Sequence, residues 1–473
     1  MTMTQPDVQA LWKYLESRVT AGDRFAGLFA TRVADRGPVT LSAHVTTAGD
    51  VDTLEAVLPR GAASYPALTP RLGAAFWYER VIHDTFGLVP EGHPRLAPLI
   101  LPGDPLPRHV EGYGLFTIPH GPVRSGVVES IEYLVETPGE AIPHLNMRVF
   151  YKHRGVENRY PGMTAAEGVL LAERTEGIAT VAHALAFCHA VERMAGCQPP
   201  RAAGLVRVLH AELERIANHL DVAVRLADAA GLAVATARFA LHKERTLRLV
   251  SRMCGSRFGR GVVVPGGVSA RSALSPADIG AELGRLHKSV AADAAALMAT
   301  SSFLDRLRGT GPLTPDRARQ HGALGPIGKA AGFADDARLN RPYDAYPSLA
   351  VGSGRKHSAG DALARLRVRW EEVDQSFGLL RQAADDLSAE RAADQLLVPC
   401  EPADGRALGW AEAPQGEVLY DVSLNGGRIV RCHPRSASFH NLVLMHEVFT
   451  GDILTDFPFI EASFGLSVAG VAL

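Results

Sequence analysis

The residues of this chain whose types and spacing could do chemistry are acids and bases in two short stretches. The first stretch runs from residue 153 to 183 and the second from 461 to 466. A buried carboxylate with a raised pKa can take up and release a proton, so such a set favours a proton relay. The alternative is a set of structural ion pairs, because an unpaired buried charge is costly. The candidate residues are His153, Arg154, Glu157, Arg174, Glu176, His183, Glu461 and Ser463.

Cysteine usage and charge exclude several classes of function. The chain has five cysteines, none in a C-x-x-C pair, and the number is odd. This argues against a disulfide framework and against an all-cysteine metal or cluster site in this chain. The net charge is −2 without a run of Lys and Arg, so we expect no nucleic-acid partner. The polar N-terminus and the lack of a long apolar run predict neither a secretory signal nor a transmembrane helix.

The order of patterns along the 473 residues predicts an α+β fold with two domains. Residues 1–110 combine a helix over 7–19 with strand-like runs, which predicts a small α+β domain. A Pro- and Gly-rich stretch at 103–125 predicts a linker. Residues 111–473 contain long segments with apolar residues at helical spacing, and strand-like patterns near both ends, the first of them with a turn at Pro138-Gly139. They predict a mainly α-helical domain with small peripheral sheets.

Residues 74–102 resemble a signature of the small hydrophilic subunit of respiratory complex I, which flanks the quinone-site subunit of that complex. The family pattern is roughly E-R-E-x-x-D-x-F-G-x-x-x-x-G-H-P, and the match is long and ungapped. The resemblance implies that the N-terminal domain has the fold of this subunit. The matching residues are Glu79, Arg80, Asp84, Phe86, Gly87, Gly92, His93 and Pro94.

The second domain resembles the large subunit of energy-converting, membrane-bound nickel–iron hydrogenases and its relative, the quinone-site subunit of complex I. HRGVE resembles an H-R-G-x-E element, and LERIANHL resembles the helix E-R-I-x-N-H-L. Further family motifs match in the same order at VVPGGV, GWAEAPQGE and SFHNL. Fusion of the two domains is the arrangement of formate-hydrogenlyase-type large subunits. The resemblance therefore implies a hydrogenase-large-subunit-like fold for residues 111–473.

The positions that hold metal in the hydrogenases carry other residues here. The family reads R-x-C-G-x-C at the first corner and D-P-C-x-x-C at the second, because four thiolates hold nickel and iron. This chain reads RTEGIA at 174–179 and EASFGL at 461–466. We therefore expect no metal site and no hydrogenase activity. The four ligand positions hold Glu176, Ala179, Ser463 and Leu466, and Gln415 replaces an arginine that lies over the hydrogenase metal.

The residues that hold a quinone in complex I are also changed. A loop G-P-x-H-P-x-x-H of that family corresponds to GPVRSGVV at 121–128, and a tyrosine of the first corner is replaced. The second corner nevertheless favours the complex I branch, because Phe464-Gly465 resembles its D-x-x-F-G, with Glu461 in place of the aspartate. The changed quinone positions are Arg124, Val128 and Gly177.

The resemblance implies a peripheral-arm subunit of a membrane-bound oxidoreductase complex that couples electron transfer to ion translocation. Its location would be the cytoplasmic side of the cell membrane. The implied partners are a small iron–sulfur subunit, a ferredoxin-like iron–sulfur subunit and antiporter-like membrane subunits. The chain would bind no redox cofactor itself; an iron–sulfur cluster would lie in a partner, and a nicotinamide would be oxidised elsewhere in the complex. The alternatives are a quinone-reducing subunit of NADH dehydrogenase type and a non-catalytic scaffold subunit.

Within this interpretation the candidate residues fall into two sets. The candidates for a proton relay or pocket are His153, Glu157, Arg174 and Glu176. The candidates for a vestigial cofactor pocket are His183, Glu461 and Ser463. If Arg174 and Glu176 are buried together, we expect them to form an ion pair. A further alternative is a different metal ion, with Glu176, Glu461 and His183 as hard ligands.

Overall fold

A computed structural model describes residues 7–32, 37–103, 112–125, 128–270, 272–333, 335–390 and 395–473. The elements of the N-terminal part are α1 (Val8–Thr20), β1 (Arg24–Arg32), β2 (Val39–Thr46), β3 (Val51–Leu58), β4 (Ser64–Pro66), α2 (Phe76–Phe86) and β5 (Val89–Glu91).

The remainder begins with a small sheet and continues as a helical body. Its first elements are β6 (Phe116–His120), β7 (Glu132–Thr137), β8 (His144–Arg148), α3 (Ala165–Ala172), α4 (Thr180–Ala195), α5 (Arg201–Ala229), α6 (Ala233–Cys254), β9 (Val263–Val264) and β10 (Gly267–Val268). The next are α7 (Pro276–Met298), α8 (Ser301–Leu307), α9 (Pro315–His321), α10 (Gly325–Ala330), α11 (Ala337–Asn340) and α12 (Ala362–Ala389). The last are β11 (Gly405–Ala413), β12 (Gly416–Asn425), β13 (Arg428–Arg435), α13 (Ala437–Leu442), α14 (Met445–Val448) and α15 (Phe457–Phe464).

The N-terminal part is an antiparallel sheet covered by helices. The strand order is β1-β2-β3, with both pairs antiparallel. Helix α1 begins after Asp7, whose side chain accepts from the backbone N–H of Gln9, an N-cap that satisfies a free helix donor. Leu11, Trp12 and Leu15 of α1 are buried in the same core as the sheet. The apolar spacing of α1 therefore sets which helix face meets the sheet.

A bundle of long helices forms the centre of the second part. Helices α5, α6, α7 and α12 share one apolar core. Helix α12 starts at an N-cap, Asp361, which accepts from the backbone N–H of Ala364. Helix α5 is buried along most of its length, since α4, α6, α12 and α15 pack around it. Residues on α5 are therefore held on all sides.

Two three-stranded antiparallel sheets flank the bundle, in the orders β6-β7-β8 and β11-β12-β13. Helix α4 lies directly on β11. A Cβ built on Gly409 would lie 2.0 Å from the carbonyl oxygen of Ala186, so a side chain there would push α4 away. The glycine thus sets how closely this helix, which carries His183, approaches the sheet.

The N-terminal part shares its core with the C-terminal elements. Residues of α1, α2 and the β1-β2-β3 sheet belong to one apolar cluster with β7, β8 and residues 439–472. Arg24 of β1 forms buried ion pairs with Asp335, at 2.7 Å, and Glu417, at 2.8 Å. The two parts are joined by a core and not only by the chain between them.

The α+β fold class expected from the patterns is confirmed. The helix expected at 7–19 is α1, and the strands expected on either side of Pro138-Gly139 are β7 and β8. The linker expected at 103–125 is wrong in part, because residues 116–120 form strand β6, paired with β7. The boundary at 110/111 lies outside the described residues. Among the described helices, none is long and apolar enough to cross a membrane.

Candidate functional site

The first corner is a seven-residue turn between helices α3 and α4. Helix α3 starts with a capping box, in which Thr164 and Glu167 satisfy each other's backbone N–H groups. Helix α4 starts after Ala179, whose side chain makes no cap hydrogen bond. Glu214 of α5 caps it instead, accepting from the N–H of Val181 at 2.7 Å and of Ala182 at 3.1 Å. The cap fixes the corner to the central helix of the bundle.

Glu176 lies in this turn and is buried. Its carboxylate accepts from the hydroxyl of Ser438 at 2.5 Å and lies 3.2 Å from Nε2 of His183. Gly470 leaves the room for it, because a Cβ there would lie 2.6 Å from the carboxyl carbon of Glu176. The sequence thus builds a closed pocket for one carboxylate, made from α4, α13 and the chain after α15.

His183 connects Glu176 to the sheet behind it. Its Nδ1 lies 2.9 Å from the hydroxyl of Tyr420 on β12, and that hydroxyl lies 3.3 Å from the hydroxyl of Thr175. An ionised Glu176 accepts from Nε2, which leaves Nδ1 to accept from Tyr420. Burial raises the pKa of Tyr420 far above its ordinary value. The tyrosine is therefore a neutral hydroxyl at the end of a carboxylate–imidazole–phenol chain.

The expected ion pair between Arg174 and Glu176 does not form. The Arg174 side chain is half exposed and lies 3.3 Å from Glu173, its neighbour in sequence. It also donates to the carbonyl of Leu170. Glu173 rather than Glu176 faces this arginine, since the Glu176 carboxylate is turned to Ser438 and His183. Arg174 therefore lies outside the Glu176 pocket.

Arg154 ties the first corner to the chain that follows the second. Its guanidinium donates to the carbonyls of Arg174 and Thr175 and to that of Ala469, at 3.0, 2.5 and 2.8 Å. Burial lowers the pKa of Arg154. Five N–H donors in a fixed plane suit one side chain to bridge several carbonyls. Arg154 has a positioning role.

The second corner is the end of α15. The hydroxyl of Ser463 is buried and accepts from Nε of Arg365 at 3.0 Å. Glu461 points elsewhere, to Arg124 at 2.8 Å and to the hydroxyl of Tyr133 at 2.9 Å. Arg124 stands where the quinone loop of complex I has a histidine, and Glu461 stands where that family has an aspartate. The two replaced residues thus bind each other.

The residues present do not fit a nickel–iron site. Ala179 and Leu466 have no ligating atom, and the remaining two positions are engaged by other side chains. Glu176 is bonded to Ser438 and His183, and the Ser463 hydroxyl faces a guanidinium. Across the described ranges, no three His, Cys, Asp or Glu side chains converge as a metal site would need.

Glu157 and His153 lie away from Glu176, at a different cavity. Glu157 is partly exposed, and its carboxylate lies 3.2 Å from Nδ1 of His433 on β13. His153 lines the same cavity, which separates strand β1 from strand β13. The structure therefore places the three candidate carboxylates Glu176, Glu157 and Glu461 at separate sites.

Glu214 is a site residue that the sequence motifs do not indicate. It lines a small cavity of ≈ 90 Å³ between the first corner, α5 and α6, together with Gly177 and Lys243. Burial raises the pKa of Glu214 to about 8, against the two backbone hydrogen bonds, which lower it. Glu214 stands inside the motif LERIANHL, but the motif does not show which of its residues are buried. Only the packing of the folded chain identifies Glu214 as a site residue.

The second part of the chain matches the family described as the 49 Kd subunit of respiratory-chain NADH dehydrogenase, over residues 230–401 and 398–472. The first part matches the family described as the 30 Kd subunit of the same enzyme, over residues 2–113.

Individual relatives come from two groups of complexes. Formate hydrogenlyase subunit 5 of Escherichia coli (strain K12) is 27% identical over 433 residues, which are 84% of this chain and 75% of the relative. An NADH-quinone oxidoreductase subunit of Chlorobaculum parvum is 30% identical over 368 residues, 74% of this chain and 88% of the relative.

A solved structure shows a similar fold. It is titled the membrane-bound sulfane sulfur reductase, an archaeal respiratory membrane complex. The matched chain has a TM-score of 0.71 and is 22% identical; the match covers 76% of this chain and 99% of that chain.

Proposed function

Because this chain belongs to the family of the 49 Kd subunit of respiratory-chain NADH dehydrogenase, with a 30 Kd-subunit region before it, we propose a role in a membrane-bound, complex I-like or hydrogenase-related oxidoreductase. In that role it is a fused peripheral-arm subunit that couples electron transfer to ion translocation. It does so without a nickel–iron site of its own. Its partners are a small iron–sulfur subunit, a ferredoxin-like iron–sulfur subunit and antiporter-like membrane subunits, and it lies on the cytoplasmic side of the membrane.

The observation that supports this proposal is the chain Glu176–His183–Tyr420 at the position of a hydrogenase metal corner. A carboxylate bonded to an imidazole, which is bonded to a phenol, can move a proton along three groups. When Glu176 takes the proton from Nε2 of His183, Nδ1 takes one from Tyr420, and a proton that enters through the hydroxyl of Thr175, 3.3 Å away, restores the phenol. The negative charge of an electron on a neighbouring cluster raises the proton affinity of nearby carboxylates. Glu176 can therefore respond to electron transfer by taking up a proton.

Glu176→Gln in the whole complex tests this function. The amide keeps the size and accepts from Ser438, but it cannot take up a proton. We expect normal assembly, and ion movement per electron reduced by about tenfold or more. The rates of electron transfer and of ion movement can both be measured in liposomes that contain the reconstituted complex. Glu173→Gln is the matched control, because Glu173 is also buried in this turn yet bonds to Gly261 and Arg174.

The outcomes separate the relay from a scaffold. Loss of assembly in Glu176→Gln would assign the carboxylate a structural role. Normal assembly and normal coupled ion movement would contradict the relay. Equal uncoupling by Glu173→Gln would show that the turn, and not the chain through His183, carries the effect.

A second candidate is a quinone-reducing subunit, which the cavity beside Gly177 favours. The exposed area of its lining is mainly apolar, and its polar groups come from His210, Glu214, Asn218, Asp221, Lys243 and Arg257. At ≈ 90 Å³ it is smaller than ligand pockets of roughly 300–1,000 Å³, so a partner surface would have to complete it. Leu247→Trp, which would fill this cavity, should then raise the KM for a quinone in the whole complex. An unchanged KM would exclude this candidate.

A further inference from the structure

A second, larger cavity lies where the N-terminal sheet meets the C-terminal sheet. Its volume is ≈ 610 Å³, and we call it the β1–β13 cavity. Strand β1 and helix α2 form one side, through residues 28–32 and 78–86. Strand β13, residues 153–161 and residues 471–473 form the other. Its volume falls within the roughly 300–1,000 Å³ of small-molecule sites.

One end of the cavity is polar. Glu157 lies 3.2 Å from Nδ1 of His433, and the ring of His433 stacks on Phe29, with centroids 5.0 Å apart and planes at 6°. Arg431, two residues before His433, lies 3.5 Å from Asp421. The stacking fixes the orientation of His433, so its second ring nitrogen has a defined direction.

Three buried nitrogens at this end have unused hydrogen-bonding capacity. Nδ1 of His153, Nε2 of His433 and Nε of Arg431 have no partner within the part of the chain that the structure describes. All three residues line the cavity. Buried polar atoms in folded proteins almost always have a partner, so three such atoms at one cavity point to a polar group that binds there.

The rest of the wall is apolar. Side chains of β1, α2 and α13, Ile100 and the last residues of the chain form it. These apolar residues are Leu28, Val81, Ile82, Phe86, Ile100, Phe439, Val471 and Leu473. A wall of this composition favours a ligand with an apolar body, because burying apolar surface is favourable by about 25 cal/mol per Å².

The charges decide the kind of polar group. Arg32 and Arg431 line the cavity against one carboxylate, Glu157, since Arg435, which also lines it, is neutralised by its ion pair with Glu417. Burial lowers the pKa of Arg431, as expected of a guanidinium with too little counter-charge. Glu157 stands at the same end and would repel a doubly charged head group. A head group with a single negative charge suits both the excess of arginines and the nearby carboxylate of Glu157.

We propose that the β1–β13 cavity binds a small organic acid with one carboxylate and an apolar body. Arg431 and His153 hold the carboxylate, and the β1 and α2 side chains hold the body. The site is distinct from the Glu176 pocket and does not depend on the function proposed above.

Photolabelling of the purified complex in lipid nanodiscs tests this site. The probe is 4-[3-(trifluoromethyl)diazirin-3-yl]benzoate, an aromatic acid that forms a covalent bond where it is bound. We expect labelled peptides from residues 78–86 and 428–435, and competition by 4-phenylbutyrate. The neutral 4-phenylbutan-1-ol, with the same apolar body, should compete about tenfold more weakly, since it lacks the charge-assisted hydrogen bonds.

Two variants and a control make the result specific. Arg431→Gln should weaken competition by 4-phenylbutyrate about tenfold and leave that by the alcohol unchanged. Val81→Trp should abolish labelling, because the indole fills the apolar side. Leu170→Trp, on an exposed position of α3 outside the cavity, should not change it. Thermal unfolding of each variant complex checks that the fold is intact.

Any of three results would overturn the proposal. These are labelling confined to other peptides, equal competition by acid and alcohol, and undiminished labelling in a well-folded Val81→Trp complex.

Discussion

At the scale of single residues, two carboxylates near the first corner differ in their hydrogen-bond donors. Glu176 accepts from a hydroxyl and faces an imidazole, so its proton has a route through side chains. Glu214 accepts from two backbone N–H groups, which cannot pass a proton on. The first is therefore suited to proton movement. The second is suited to hold a proton and report on pH.

Glu214 predicts a pH dependence of stability. The folded protein holds the carboxyl proton up to about pH 8, because burial raises this pKa, whereas an unfolded chain releases it near the ordinary pKa of 4.5. Between these pH values the folded state binds more protons, so stability falls as pH rises through that window. One such group contributes a decline of at most about 1.4 kcal/mol for each pH unit, and solvent in the cavity reduces it. Glu214→Gln should remove this contribution.

The measurement is the unfolding midpoint of both complexes at pH 5, 6, 7 and 8. The difference between the two proteins should grow steadily with pH. Parallel curves would show that Glu214 is ionised in the folded protein throughout.

We expect a substitution of Glu157 to change ion movement without changing assembly of the complex. Glu157 is partly exposed and its partner is His433, so Glu157→Gln leaves no buried arginine unpaired. We expect the complex to assemble normally and to lose most of its electron-linked ion movement, if Glu157 belongs to the relay. Glu140→Gln, an exposed carboxylate outside the cavity, is the control. Equal turnover and ion movement in both variants would remove Glu157 from the relay.

At the scale of elements, two glycines lie where the backbone passes close to another part of the chain. Gly409 lets α4 approach β11, and Gly470 leaves room for Glu176. The residue types were visible in the sequence, but which helix or carboxylate each glycine faces was not. Those contacts join residues more than two hundred positions apart. Periodicity locates helices and strands; it carries no information on such pairs.

Gly465 is the C-cap of α15, and we expect a side chain added at this position to destabilise the second corner. The φ of Gly465 is +64°, and a Cβ would lie 2.7 Å from Cγ2 of Val222. Gly87, the C-cap of α2, has φ +67° with nothing within 4 Å of such a Cβ. Gly87→Ala should therefore cost about 1–2 kcal/mol for the left-handed backbone alone. Gly465→Ala should cost roughly 1–3 kcal/mol more, from overpacking.

Urea unfolding of the two variants, with the unchanged chain beside them, measures the difference. Equal losses of stability would show that the end of α15 yields to the added methyl group, and that this corner is not rigidly packed.

At the scale of the whole molecule, the sequence predicted the order of the helices and strands. It did not predict how the N-terminal and C-terminal parts pack against each other. The helix at 7–19, the strands around Pro138-Gly139 and the family motifs all came from local patterns. The pairing of Arg24 with Glu417 joins positions 393 apart, and nothing local marks it. The same holds for Arg174, whose partner proved to be Glu173 rather than Glu176. The direction of a side chain in a turn depends on backbone angles that composition does not give.

The ion pairs of Arg24 predict that the two parts remain associated when the chain between them is cut. Arg24 lies 2.7 and 2.8 Å from Asp335 and Glu417, and both parts contribute to one apolar core. We expect a full-length chain with a protease site inserted between residues 103 and 112 to elute as one species after cleavage. Arg24→Met should cost about 1.5–3 kcal/mol, because Asp335 and Glu417 lose its charged hydrogen bonds but keep Arg341 as a partner, and should release the N-terminal fragment. Arg18→Met, which removes a more exposed pair with Asp23, should cost about 0–1 kcal/mol and leave the nicked protein intact. Size-exclusion chromatography of the three cleaved proteins is the measurement. Separation of the fragments without any substitution would mean that the shared core and these ion pairs do not suffice to hold the parts together, and that the covalent connection does.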